Sequence, residues 1–343
     1  PGKSAGNCRK HWGQGAGDYL HHIYIGKNVS YQNRQTGFWS KQARDVIISQ
    51  NVAYGGREHG DSGGGGIGYQ YNPANLWILY NELYDNNFGI IQGSTDGDPS
   101  HTVYIIGNLI RDNEQNLDPC GHWSSPTGWA MSLWYGSTKY IVNNTIYNTR
   151  GGIELINGGD SAPTFISNNL ISNLNGMDYV NESPACGDFT VAPGKVEHLS
   201  TNAVTSVTID RNLFAQTDGQ PIRINGFPSL AAYQADSGQC ANCRVGDPLF
   251  VNAAQGDFSL QNGSPALDAG IEEVVYQRFF DLYGLDIRVD YRNQSRPQGQ
   301  GWDLGAYEGS TLPTTLTPGA TPIASATPSV LTTPDVFLPF VIR

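Results

Sequence analysis

The stretches VIISQNVAY (46–54), LWILYNELY (76–84) and VYIIGNLIR (103–111) are one pattern written three times. Working outward, IYIGKNVSY (23–31) precedes them, and KYIVNNTIY (139–147), TFISNNLIS (164–172) and VTIDRNLFA (207–215) follow. Their aligned asparagines are Asn28, Asn51, Asn81, Asn108, Asn144, Asn169 and Asn212. Apolar residues stand three and usually five places before each Asn, as in Ile23/Ile25, Val46/Ile48, Leu76/Ile78 and Val207/Ile209. Strand side chains alternate, so such a pair shares one face. Another apolar residue often follows two places later: Leu83, Ile110, Ile146, Ile171 and Phe214. The Asn is expected to supply a bend, because it tolerates left-handed backbone and can satisfy turn amides. Stacked in successive coils, these side chains can hydrogen-bond one another in a ladder.

A second strand follows after Gly in most repeats: GFWSK (37–41), GIGYQ (66–70), GIIQG (89–93), GWAMS (128–132), GGIEL (151–155) and GMDYV (176–180). Phe38, Ile67, Ile90, Trp129, Ile153 and Met177 are expected to point inward. The ladder asparagines are 23 to 43 residues apart while the strands hardly vary, so the variation falls in loops. A unit of this kind buries its apolar face only by stacking on its neighbours.

This pattern resembles the right-handed parallel β-helix of the pectin-lyase-like superfamily over about residues 18–270. The resemblance implies an all-β solenoid with long loops. GDPLFVNAAQGDFSLQNGSPALDAG (246–270) and RPQGQGWDLGAYE (296–308) are similar to the end of many secreted bacterial β-helix proteins, where this segment closes the last coil. Asp247, Asp257, Asp268 and Asp303 read as its turn-forming residues. The expected organisation is a lead-in (1–17), coils (18–245), a last coil with closing segment (246–308), a Thr/Pro-rich linker (309–334) and a terminal apolar strand (335–343). The lead-in carries no amphipathic pattern that would cap the solenoid, and an uncapped end invites association through its strand edges.

Composition agrees with a turn-rich β protein. Charged residues are 15% of the chain and Gly contributes 42 of 343 residues; average domains have about 25% charged residues and about 7% Gly. A charged ladder would repel itself, which accounts for the scarcity. The net charge of −11 comes with no basic stripe, which argues against a nucleic-acid partner. No apolar run approaches the roughly 18–20 residues needed to span a bilayer. Five cysteines occur, Cys8, Cys120, Cys186, Cys240 and Cys243. Cys240 and Cys243 form a CxxC that reads as a local disulfide rather than zinc, since no second CxxC or suitably spaced His accompanies it. Cys120 and Cys186 lie in long loops and could pair. These features point to a secreted or cell-surface protein.

Two function classes follow. One is an extracellular structural or adhesive protein that self-associates, with filaments as the extreme. Its assembly strand is Val336, Phe337, Leu338, Phe340, Val341 and Ile342, added to a neighbour by β-augmentation. The other is a polysaccharide lyase or carbohydrate-binding protein acting on acidic, uronate-containing polysaccharide. GFWSK resembles the segment around the base lysine of a calcium-dependent pectate lyase family, which implies Lys41 as the base. That family's Asp-rich calcium run is absent, and GREHGDSGGGG (56–66) stands in its place. There Arg57, Glu58, His59 and Asp61 lie beside a Gly run, with Arg57 and His59 as catalytic candidates. On the outward row of the second strand, Glu154 and Asp178 are the neighbouring acids and the candidate ligands for Ca²⁺, the one cofactor considered. No cofactor is otherwise expected. Trp12, Trp39, Trp123 and Trp134 are candidates for stacking on sugar rings.

Overall fold

The computed structural model describes residues 20–57, 63–71, 73–93, 101–113, 128–134, 136–156, 162–181, 189–193, 196–201 and 206–309, with backbone alone for 177–181 and 189–193. Each repeat contributes strands to three sheets. The first stacks His21–Gly26, Arg44–Ser49, Ala74–Leu79, Thr102–Ile106, Thr138–Val142, Thr164–Ser167 and Val207–Asp210. The second stacks Val29–Tyr31, Val52–Tyr54, Glu82–Tyr84, Leu109–Arg111, Thr145–Tyr147, Leu170–Ser172, Leu213–Ala215 and Arg244–Val245. The third stacks Phe38–Lys41, Gly65–Gln70, Phe88–Gln92, Trp129–Trp134, Gly151–Ile156 and Leu199–Ser200. Pairing is parallel from coil to coil, and the register keeps like above like. The chain is a parallel β-helix.

The interior is one continuous apolar column. Ile25, Ile48, Ile78, Ile105, Ile141, Ile166 and Ile209 lie directly above one another. The third sheet adds Phe38, Ile67, Ile90, Met131, Ile153 and Leu199 to the same core. Two expected members of that row are displaced. Trp129 stands two residues before the inward Met131 and joins a separate cluster with Phe88, Ile91 and Trp39. Strand Trp129–Trp134 sets Ala130, Met131 and Leu133 in the main core, so its alternation is interrupted at 130–131 and Trp129 falls outside the inward row. At Met177 the chain leaves the coil for an antiparallel hairpin, Met177–Asn181 against Phe189–Pro193. It rejoins the third sheet at Leu199.

The ladder runs unbroken through seven rungs. Asn81 is representative: its N–H and Nδ2 both donate to Asn108 Oδ1 at 2.9 Å. Its Nδ2 also donates to Ile48 O at 3.0 Å, and its Oδ1 accepts from Asn51 N and Nδ2. The bend itself belongs to the preceding residue. Lys27, Gln50, Tyr80, Asn143, Asn168 and Arg211 take φ of 52–56°, and Gly107 takes 67°. Left-handed backbone costs a non-Gly residue about 1–2 kcal/mol. Each ladder amide makes several buried hydrogen bonds, each contributing about 1 kcal/mol net, which offsets that strain. A shorter ladder lies five residues further on, where Gly56 N donates to Asn86 Oδ1 (2.8 Å) and Asn86 N to Asn113 Oδ1 (3.0 Å).

The C-terminal end of the solenoid is covered by helix α1 (Leu230–Ser237), whose N-cap Ser229 accepts from Ala232 N. Leu230 and Tyr233 join Cys240 in the main core. Segment 246–308, which the resemblance assigned to the last coil and its closure, packs along the flank of the coils. Its helix α2 (Val274–Tyr283) sets Val275, Tyr276 and Phe279 against Trp77, Tyr80 and Tyr104. Trp77, Tyr104, Tyr140 and Phe165 form an outward aromatic stack, with Trp77 and Tyr104 3.6 Å apart. Covering so much apolar surface is the gain that holds the segment there. Its polar heart is the fully buried Arg296–Glu308 pair at 2.7 Å. Asp247 and Asp257 accept backbone N–H groups two residues on, and Asp303 accepts from Asp268 N and Gly309 N.

Candidate functional site on the outer face of the third sheet

The outward column of the third sheet reads Trp39, Gly68, Ile91, Ser132, Glu154 and Ser200 in register. Two indoles lie on this sheet, Trp39 in its first strand and Trp129 in its fourth. The Trp39 ring lies over Gly68, where a Cβ would meet it at 2.2 Å. The Trp129 ring covers Gly151 in the same way, at 2.5 Å. A cation accompanies each: Lys41 Nζ is 5.7 Å from the Trp39 ring centroid and the Arg150 guanidinium is 5.7 Å from that of Trp129. Lys41 is exposed, whereas Trp129 and Arg150 are buried.

Glu154 is the chemically distinctive member. Its carboxyl is recessed, and Ser132 Oγ donates to Oε1 at 2.6 Å. Burial raises its pKa to about 7, against the opposing pull of the Ser132 hydrogen bond and the Arg150 charge. It therefore holds or releases a proton near neutral pH. Strong perturbation of this kind is a mark of functional positions. Asp178 is not its neighbour: Glu154 stands opposite Ser200, and Asp178 stands opposite Ala192 on the hairpin. After Gly176 the backbone leaves the third sheet, so Asp178 does not continue the strand register of Glu154. Among the described residues, no group of three or more His, Cys, Asp or Glu converges on a common point.

Arg57 lies at the corner after the second sheet, not on this face. Its guanidinium is paired with the Asp85 carboxylate of the next coil and donates to the Asp85 and Gly56 carbonyls. His59, with Glu58 and Asp61, lies outside the described residues, as do Cys120, Cys186, Trp12, Trp123 and the run Val336–Ile342. Cys240 and Cys243 are joined in a disulfide.

Two buried groups escaped notice in the sequence. Lys139 occupies the inward row between Val103 and Thr164. It is 1% exposed, and its Nζ donates to Ser137 O. Burial lowers its pKa to about 7. The signal was visible, since Val46, Leu76 and Val103 hold the same place in earlier repeats. His198 is also fully buried, and burial lowers its pKa to about 4.

A scan against protein-family models finds no match for this chain, and a search of curated proteins finds no relative. Among the described residues, no helix is long and apolar enough to cross a membrane.

Proposed function

We propose that the chain is a secreted β-helix of the pectin-lyase-like kind that engages acidic polysaccharide along the outer face of its third sheet. The observation that carries this reading is the recessed Glu154–Ser132 pair in one column with the Trp39–Lys41 platform. An indole face suits the C–H side of a sugar ring, and an exposed ammonium beside it suits a uronate carboxylate. A carboxyl that titrates near neutral pH can donate a hydrogen bond or a proton to the same ligand. The disulfide fits an oxidising, extracellular compartment.

Affinity electrophoresis through gels containing polygalacturonate or alginate, with and without Ca²⁺, tests the reading. The protein should be retarded, and Lys41→Ala should restore most of its mobility. Ultraviolet absorbance of unsaturated products would separate cleavage from binding. Normal mobility in every uronan removes the proposal.

A second reading, a structural or adhesive role through self-association, is favoured by the first coil. Its strands His21–Gly26 and Val29–Tyr31 each pair with one neighbour among the described residues, and Val29 and Tyr31 are exposed. Sedimentation over a wide concentration range tests it, and a constant monomer would dispose of it.

A further inference from the structure

The CxxC occupies a place that the repeat itself defines. In every coil of the ladder an inward isoleucine stands three residues before the ladder Asn, as Ile166 before Asn169 and Ile209 before Asn212. In the next coil the same two places are held by Cys240 and Cys243. Cys240 N donates to Ile209 O, and Arg244 N donates to Asn212 O. The latter repeats the bond by which Leu213 N meets Asn169 O one coil earlier. Leu213 pairs with Arg244, which sets Cys243 opposite Asn212. The Asn212 N–H points at Cys243 Sγ, 3.5 Å away. One coil earlier Asn169 N donates to Asn212 Oδ1 at 2.9 Å. Cys240 meanwhile sits in the main core with Leu230 and Tyr233 of α1.

We infer that the disulfide is the eighth rung of the ladder and a thiol–disulfide exchange site that locks the solenoid's C-terminal end. A crosslink between core and ladder positions fixes the end where no further Asn supplies an acceptor. The two sulfurs are unequally accessible: Cys240 is 1% exposed and Cys243 is half-buried. An incoming thiolate therefore attacks Cys243 Sγ. A new S–S bond forms there as the Cys243–Cys240 bond breaks, and the Cys240 thiolate leaves and takes a proton. With a dithiol reductant, its second thiolate attacks the mixed disulfide. That step releases Cys243 as a thiolate and the reductant as its own disulfide, two electrons having passed to the protein. The open pair no longer clamps the core position to the ladder position, and the turn from 240 to 243 is then held by the Cys243 N to Cys240 O hydrogen bond alone.

Hydrogen exchange on the full chain, with and without dithiothreitol, tests the inference. Closing so short a loop restricts the open ensemble by roughly 20-fold. Reduction should therefore speed exchange of the Asn212, Arg244 and Gly246 amides by about that factor. The amides of Leu249 and Gln261 in the flank segment should keep their rates. Cys240→Ala/Cys243→Ala should exchange fast without reductant. Cys240→Ala/Cys243→Asn, which restores an amide acceptor, should recover protection at Asn212 and ignore dithiothreitol, which also controls for the other cysteines. Alanine is used at 240 because φ there is 63°, where a β-branched residue is strained. Unchanged exchange on reduction of the native chain overturns the lock, and equal rates in the two double variants overturn the rung. A monothiol probe should be found by mass on Cys243; finding it on Cys240 overturns the exchange assignment.

Discussion

The ladder corner and the outer face of the third sheet belong to the same coils and obey opposite rules. At the corner, Asn recurs in seven successive coils, each bonded to the next. On the outer face, the column from Trp39 to Ser200 places no residue type beside itself. A buried amide must match the groups above and below it, because an unmatched one is left unsatisfied. An outward position answers to whatever lies over it. Repetition in this fold marks architecture, and its loss marks places free for chemistry.

The corner should fail hardest when its rule is broken. Asn144→Leu removes the acceptor of Asn108 N and Nδ2 and the Nδ2 donor to Asn169 Oδ1, leaving only the backbone N–H of residue 144 to that oxygen. Urea unfolding should show a loss of about 4 kcal/mol, from lost bonds and stranded partners; a loss below about 1 kcal/mol would mean the ladder does not hold the corner. The inward row breaks its apolar rule at Lys139 and again at Thr164, and mending the charged one should stabilise. The folded pKa of about 7 lies below the ordinary 10.5. Between those values the unfolded chain binds a proton that the folded chain does not, so this residue makes stability rise with pH across the window and leaves it flat below. Lys139→Met should remove that slope and add about 3 kcal/mol at pH 7. Parallel pH–stability curves for the two proteins would refute the assignment.

Glu154 carries the opposite sign. Its folded pKa of about 7 lies above the ordinary 4.5. Its contribution is complete below 4.5 and is lost as pH rises through 7. Glu154→Gln keeps a partner for Ser132 and should flatten that fall, a difference of about 2 kcal/mol allowing for its partial exposure. A retained slope would place the titration elsewhere. Lys41→Ala should change stability by less than about 0.5 kcal/mol while weakening uronan retention. A large loss of stability with unaltered retention would make Lys41 architectural and sharpen the contrast against the present reading.

The same contrast explains what could be read from sequence. The ladder and the isoleucine column were legible because each rung repeats a residue at fixed spacing. The second corner was not, since Asn recurs there only at Asn86 and Asn113 and Gly56 holds the place in the coil before. The left-handed residue was assigned one position late, because Asn tolerates that conformation and its neighbours Lys27, Gln50 and Tyr80 do not advertise it. Glu154 was legible as an outward acid, but its burial and its Ser132 partner depend on register across coils. Its pairing with Asp178 assumed that every Gly-led strand continues the stack, and GMDYV departs into a hairpin. The flank position of 246–309 follows from an aromatic stack whose members are 25 to 36 residues apart, a proximity that only coiling creates.

The ladder also has a direction. Between rungs, each Asn from Asn28 to Asn169 donates to the Oδ1 of the next Asn toward the C-terminal end, as Asn28 does to Asn51 and Asn169 to Asn212, while Nδ2 from Asn51 onward also donates to a carbonyl of the coil before. The amide-to-amide bonds thus run in one donor-to-acceptor sense along one edge of the solenoid. The two ends are electrically unlike. A group stacked before Asn28 would have to donate to continue the series, and one stacked after Asn212 would have to accept. At the C-terminal end that place is taken by Cys243 Sγ, which accepts from the Asn212 N–H.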